Sequence, residues 1–130
     1  MFGLFRKATK VERTFASILI IEDNETDRLF IQRALEKSNY LVFTACDSEE
    51  GLRLVYQHKI DLIILDYILP GVNGLDVCKI LKQDAKTMRI PIIFLTVVEG
   101  KEIMKFYGAG AEFYLHKPVT TGELLTLIPS

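Results

Sequence analysis

The stretch DLIILDYILPGVNGLDVC, residues 61–78, decides how this chain is read. Its apolar run at 62–65 is continuous rather than alternating, the pattern of a strand covered on both faces, as in a parallel sheet. Asp66 ends the run and a turn from Gly71 to Gly74 follows. Leu75, Val77, Cys78 and Leu81 then recur at helical spacing. Working outward, four more strand-length apolar runs stand at 17–21, 41–45, 92–95 and 113–115. Helical stripes alternate with them. Phe30, Ile31, Ala34 and Leu35 form one over 25–38, and Leu52, Leu54, Val55 and Tyr56 form another over 48–57, with Asp47 and Glu50 spaced like a capping box. Ile103, Met104, Phe106 and Tyr107 suggest a short fourth helix, its apolar patch being core or, less often, an interface. Thr120 and Glu123 can cap a fifth that carries Leu124, Leu125 and Leu127. Five such alternations imply right-handed βαβ crossovers and an open α/β sandwich.

Composition narrows the function. The chain has 130 residues, 49% hydrophobic and 25% charged, with a formal net charge of −1. That is the length of one domain, able to build a core without disulfides or a structural metal. A near-neutral balance speaks against direct nucleic-acid binding, and the apolar half speaks against disorder. No apolar run approaches the ~18 residues of a membrane span, and no secretory signal is read. Cys46 and Cys78 lack paired spacing, so a reducing cytoplasm is expected. Residues 1–16 form an extension ahead of a domain at 17–130. In it Arg6, Lys7, Lys10 and Arg13 face Glu12 alone, interleaved with Phe2, Leu4, Phe5 and Val11. Such an arm is either a loosely docked extension or a weak amphipathic contact for an anionic membrane or a partner.

Open parallel sheets bind ligands beyond the carboxyl ends of their strands. The residues found there are Glu22, Asp23 and Asn24 after the first run, Asp66 after the third, Thr96 after the fourth, and His116, Lys117 and Pro118 after the fifth. Clustered carboxylates repel unless a cation neutralises them, and a hard divalent ion such as Mg²⁺ needs only one or two carboxylates, waters and phosphate oxygens. A hydroxyl and an ammonium opposite would suit the other oxygens of a phosphoryl group. The set reads as a carboxylate nucleophile accepting phosphate with metal assistance, Asp66 being the nucleophile and Glu22 and Asp23 the metal shell. Taken singly, each residue has a plainer role. Glu22 and Asp23 would be helix caps, Thr96 a strand end, Tyr114 a half-buried aromatic, His58 and His116 solvated, and Cys46 and Cys78 small core or rim residues.

The segments ILIIEDN, DLIILDYILPGVNGLDV, IPIIFLT and GAEFYLHKP, with Glu22-Asp23, Asp66, Pro70, Gly74, Thr96 and Lys117-Pro118 in order, resemble the response regulator receiver family of two-component signalling, over roughly 17–127. The resemblance implies a (βα)5 flavodoxin-like, doubly wound sheet of strand order 2-1-3-4-5. It implies phosphorylation of Asp66 by a histidine kinase or phosphotransfer protein. Mg²⁺ would be held by Glu22, Asp23, Asp66 and the Ile68 carbonyl. Lys117 would pair with the phosphoryl group, and its bond to Pro118 would be cis. A Thr96–Tyr114 switch would remodel the face made by the fourth helix, fifth strand and fifth helix. The chain would be a single-domain signalling receiver rather than an enzyme, working through a downstream target and able to dimerise.

Departures from the family pattern keep rivals in view. Val97 stands where Ala or Gly is usual, the span from Thr96 to Lys117 is about one residue short, and the last helix is curtailed. A receiver that serves as a phosphorylation-independent adaptor or dimerisation module is the alternative. An aspartyl-phosphate hydrolase ranks last, because Ile68 occupies the position of its second acid. Ile68 and Val98 are apolar where a water-orienting group is often found, so slow phosphoryl loss is expected. Leu29, off the stripe of its helix, is either a scattered surface residue or a contact for the phosphodonor.

Overall fold

The computed structural model describes residues 17–128, so the basic arm expected of residues 1–16 lies outside them. Five strands form the sheet: β1 (Ser17–Ile21), β2 (Leu41–Ala45), β3 (Leu62–Asp66), β4 (Ile92–Thr96) and β5 (Phe113–His116). All neighbours are parallel, in the order β2-β1-β3-β4-β5. The helices between and after them are α1 (Glu25–Lys37), α2 (Ser48–Gln57), α3 (Gly74–Gln83), α4 (Ile103–Gly108) and α5 (Thr121–Leu127). This is the flavodoxin-like (βα)5 arrangement expected from the sequence.

Period-two alternation along buried strands supplies two cores rather than one. Ile18, Ile20, Leu62, Ile64, Ile93 and Leu95 meet Ile31 and Leu35 of α1 and Leu124 of α5. Leu19, Ile21, Ile63, Leu65, Ile92 and Phe94 meet Val55 of α2, Val77, Cys78 and Leu81 of α3, and Phe106 of α4. Both faces of β1, β3 and β4 are therefore covered, which is why their runs do not alternate. No described helix is long and apolar enough to cross a membrane.

Several local expectations are corrected. Strands β3, β4 and β5 each run one residue further, because Asp66, Thr96 and His116 still pair across the ladder (Asp66 with Leu95, Thr96 with His116). Phe30 is 44% exposed, and the buried stripe of α1 is Ile31, Ala34 and Leu35. In α2 it is Ser48, Gly51 and Val55 that are buried, while Tyr56 is exposed. The capping box at Asp47 is half made: Asp47 accepts the Glu50 N–H at 2.8 Å, but the Glu50 carboxylate reaches past it to the Cys46 N–H at 3.0 Å. The fourth helix is divided between core and surface. It follows a 3₁₀ turn (Gly100–Glu102), and only Phe106 is buried, with Met104 71% and Tyr107 45% exposed. A six-residue helix has little more than one turn to offer the sheet, so Ile103 packs only at the edge of the core while Met104 and Tyr107 face outward.

Candidate functional site

The carboxyl ends of β1, β3, β4 and β5 converge on a cleft lined by Glu22, Asp23, Asp66, Ile68, Thr96, Val97 and Lys117, among others. Each strand end delivers its residue in register. Ile21 lies opposite Leu65, so Glu22 and Asp66 come side by side, and Lys117 N donates to the Thr96 carbonyl at 2.8 Å. Glu22 is fully buried, Asp66 is 6% exposed and Asp23 faces solvent. Oxygens of Glu22, Asp23 and Asp66 lie within 4.8 Å of one another.

Lys117 Nζ is the cationic centre of this group. It stands 2.7 Å from Glu22 Oε1, 3.2 Å from Asp66 Oδ2 and 3.3 Å from Asp27 Oδ2. Burial works against its ammonium form, but the Glu22 and Asp66 carboxylates outweigh it and hold its pKa above the usual lysine range. For Glu22 the balance falls the other way. Burial raises its pKa from 4.5 to about 7 against the pull of the Lys117 ammonium, and the neighbouring Asp66 adds to the rise. Glu22 Oε1 meets the ammonium as an ion pair without an aligned hydrogen bond, whereas Oε2 accepts the Asn24 N–H at 3.0 Å. One ammonium against four carboxylates leaves the cleft anionic. A buried carboxylate oxygen lacking a directed donor, beside two other hard oxygen ligands, fits a divalent cation such as Mg²⁺.

The backbone around Asp66 is held from several sides. Asp66 Oδ1 accepts the Ile68 N–H at 3.3 Å. Arg28 Nη1 donates to the Glu22 carbonyl at 3.0 Å, bracing the β1–α1 loop from α1. The fully buried Ser48 hydroxyl, at the start of α2, donates to the Val72 carbonyl with the Pro70 carbonyl 3.3 Å away. Gly74 lets α3 begin directly against the site: a Cβ there would stand 2.5 Å from the Asp66 carbonyl and 2.9 Å from Tyr67 Cα. The Lys117–Pro118 bond is cis.

Thr96 is 1% exposed, and its hydroxyl oxygen accepts the Val98 N–H at 2.9 Å, tying it to its own loop rather than to Asp66. Tyr114 pairs in register with Phe94, two residues before Thr96, so it lies on the same face one step below. Its ring is half-buried, 6.1 Å edge-on from Tyr107 and 6.5 Å from Phe106. With Val98, Ile103, Met104 and His116 it lines an open groove of about 620 Å³ beside α4. Ile68 and Val97 are 64% and 59% exposed at the cleft mouth.

Three residues near the site carried no sequence expectation of this kind. Asp27 reaches Lys117 across 90 positions of chain, and nothing in its local sequence signals the contact. Arg28, five and six positions after the carbonyls it braces, gave no sign at all. His116, read as solvated, places Nε2 3.2 Å from the Val97 carbonyl and 3.5 Å from Glu99. It thereby fastens the β4–α4 loop to β5. His58 is exposed and stacks on Phe43 at 4.5 Å. Cys46 is exposed and Cys78 buried, both free. Leu29 is half-buried in a hollow between α1 and α5.

Known proteins share this architecture. Residues 18–129 match the response regulator receiver domain. The protein PilH of Pseudomonas aeruginosa is 36% identical over 115 residues, 87% of this chain and 94% of PilH. The chain spans only about half the length of the transcriptional regulators it also matches. A putative response regulator from Chloroflexus aurantiacus superposes with a TM-score of 0.82 at 32% identity, covering 87% of this chain and 93% of that one. The receiver domain of the sensor histidine kinase PA1611 from Pseudomonas aeruginosa, solved with a magnesium ion coordinated in its active-site cleft, superposes at 0.80 and 27% identity, covering 88% and 95%. Matched along nearly all its described length in sequence and in strand order, the chain belongs to the response regulator receiver domain family, a family of signalling modules.

Proposed function

We propose that the chain is a phosphoaspartate switch in a two-component pathway, in the cytoplasm, with Asp66 as the acceptor. The observation that carries this is the Asp66 carboxylate itself. It lies nearly buried at the end of β3, 3.2 Å from the Lys117 ammonium and among two further carboxylates. In the transfer, an Asp66 oxygen forms the new P–O bond as the P–N bond of a phosphohistidine breaks. The departing imidazole keeps the electron pair and takes a proton. Lys117 neutralises charge on the incoming phosphoryl oxygens, and the Ile68 N–H holds the other Asp66 oxygen. Glu22, Asp23, Asp66 and the Ile68 carbonyl would hold Mg²⁺, which supplies positive charge to the transferring group when bound.

The Thr96 O–H then has an anionic acceptor, and movement toward it draws the hydroxyl oxygen away from the Val98 N–H. Release of that bond loosens the β4–α4 loop and lets Tyr114 rotate inward behind Thr96, biasing a two-state face. The phosphodonor is a histidine kinase or phosphotransfer protein, and the reader of the changed face is a downstream protein or a second copy of the chain. The apolar Ile68 and Val98 give no side-chain group to orient an attacking water, so the phosphoryl group is lost slowly.

Incubation with Mg²⁺ and acetyl phosphate should add the mass of one phosphoryl group, and Asp66→Asn should abolish the gain. No Asp66-dependent gain and no response to beryllofluoride would sink this reading in favour of a phosphorylation-independent adaptor. Continuous turnover of phosphate esters would favour a hydrolase. A phosphoryl half-life of seconds without a partner would refute the slow-loss expectation.

A further inference from the structure

We propose that Asp27 is a positioning residue for Lys117: a displaceable third carboxylate that holds the ammonium before phosphorylation and yields it to the phosphoryl group afterwards. The inference rests on the phosphoacceptor reading of Asp66. An ammonium has three N–H donors. Lys117 meets three carboxylates, Glu22 at 2.7 Å, Asp66 at 3.2 Å and Asp27 at 3.3 Å. A phosphoryl group on Asp66 converts that carboxylate into an acyl phosphate, whose several charged oxygens ask for more of the ammonium than the one donor Asp66 held, so Glu22 or Asp27 must give way.

Burial decides which one. The Glu22 side chain is fully buried, whereas that of Asp27 is 45% exposed. Breaking a buried pair strands a charge away from water, but a half-exposed carboxylate is rehydrated as it lets go. Local geometry makes Asp27 available for this role. It is the third residue of α1, the place from which an acidic side chain commonly reaches back to the N-cap N–H. At Asn24 that N–H is already taken by Glu22 Oε2 at 3.0 Å, while Asn24 caps the Asp27 N–H at 2.9 Å. The Asp27 carboxylate is left facing Lys117. At the start of α5, by contrast, Glu123 does close the box onto Thr120 N at 2.9 Å.

Removing the competitor should free Lys117 for the phosphoryl group. Asp27→Asn should raise the acetyl phosphate reaction rate, and lower the beryllofluoride concentration at half-saturation, by about two- to fivefold, the range expected for a half-exposed ion pair. Asp27→Glu, which retains a carboxylate, should stay near the starting values. Glu25→Gln removes the same charge from the same helical turn away from Lys117, and should change both values by less than half as much. An Asp27→Asn variant that matches the unmodified chain, or a Glu25→Gln variant that matches Asp27→Asn, overturns the inference and leaves the phosphoacceptor reading standing. An unmodified chain that takes up neither acetyl phosphate nor beryllofluoride overturns the phosphoacceptor reading itself, and this inference falls with it.

Discussion

Helices α1 and α4 stand beside the same end of the sheet, yet they are held very differently. α1 runs 13 residues from an Asn24 side-chain cap, buries Ile31, Ala34 and Leu35, and braces the acidic loop through Arg28. α4 runs six residues with no side-chain cap at its start, and Phe106 is its one buried side chain. The chemistry of a phosphoacceptor needs carboxylates and an ammonium fixed to fractions of an ångström. A reporting surface needs the reverse, an element whose rearrangement costs little. The fold puts firmness on the β1–β3 side and looseness on the β4–β5 side, with Thr96 between them.

The harshest test of this contrast is Phe106→Ala. It removes the ring stacked on Phe94 at 4.6 Å and should cost about 3–5 kcal/mol in urea denaturation. Amides of α4 should lose hydrogen-exchange protection to the full extent while Asp66 still accepts phosphate. Equal loss of protection in α1 would break the contrast. On the firm side, Gly74→Ala forces a Cβ against the Asp66 carbonyl and should cost about 1–3 kcal/mol. Here phosphorylation should fall along with stability, and an unchanged rate would show that Asp66 tolerates more movement than its packing implies.

Proton linkage sharpens the same point. Glu22 titrates near pH 7 in the folded chain and near 4.5 when unfolded, so between those values the folded state binds more protons. Metal-free stability should therefore decline as pH rises from about 4.5 to 7 and level off above, and Glu22→Gln should flatten that slope in urea midpoints. Magnesium competes with the proton, so its apparent affinity should weaken by up to about tenfold per pH unit below 7, as calorimetry at pH 6 and 8 would register. A slope that survives Glu22→Gln would assign it elsewhere. The smallest effect is expected at α5, where Thr120→Ala opens the capping box for about 1 kcal/mol and should leave the Asp66 reaction untouched.

Most of the architecture was legible because buried strands must be apolar on both faces, so the five runs and their helical interludes could be read directly. The strand-end carboxylates, Thr96 and Lys117 were legible for a related reason, since an open parallel sheet leaves only one edge for a site. What escaped notice depended on contacts distant in sequence or on marginal geometry. Asp27 meets Lys117 across 90 positions, and nothing near it in the chain reports that. Phe30 sits at the border of an apolar arc, where one helical step of 100° separates core from solvent. The α4 side chains looked like core because they are apolar, but the length of the helix, not its composition, sets how many can reach the sheet.

The Ser48 hydroxyl, seated on carbonyls of the loop that follows Asp66, has a consequence for anyone recombining such domains. The loop bearing the Ile68 carbonyl belongs by sequence to the β3–α3 unit, but its anchor belongs to the β2–α2 unit. Chimeras cut cleanly between βα units would separate the two. A graft that carries residues 62–83 into a relative should recover metal affinity only when residue 48 travels with it.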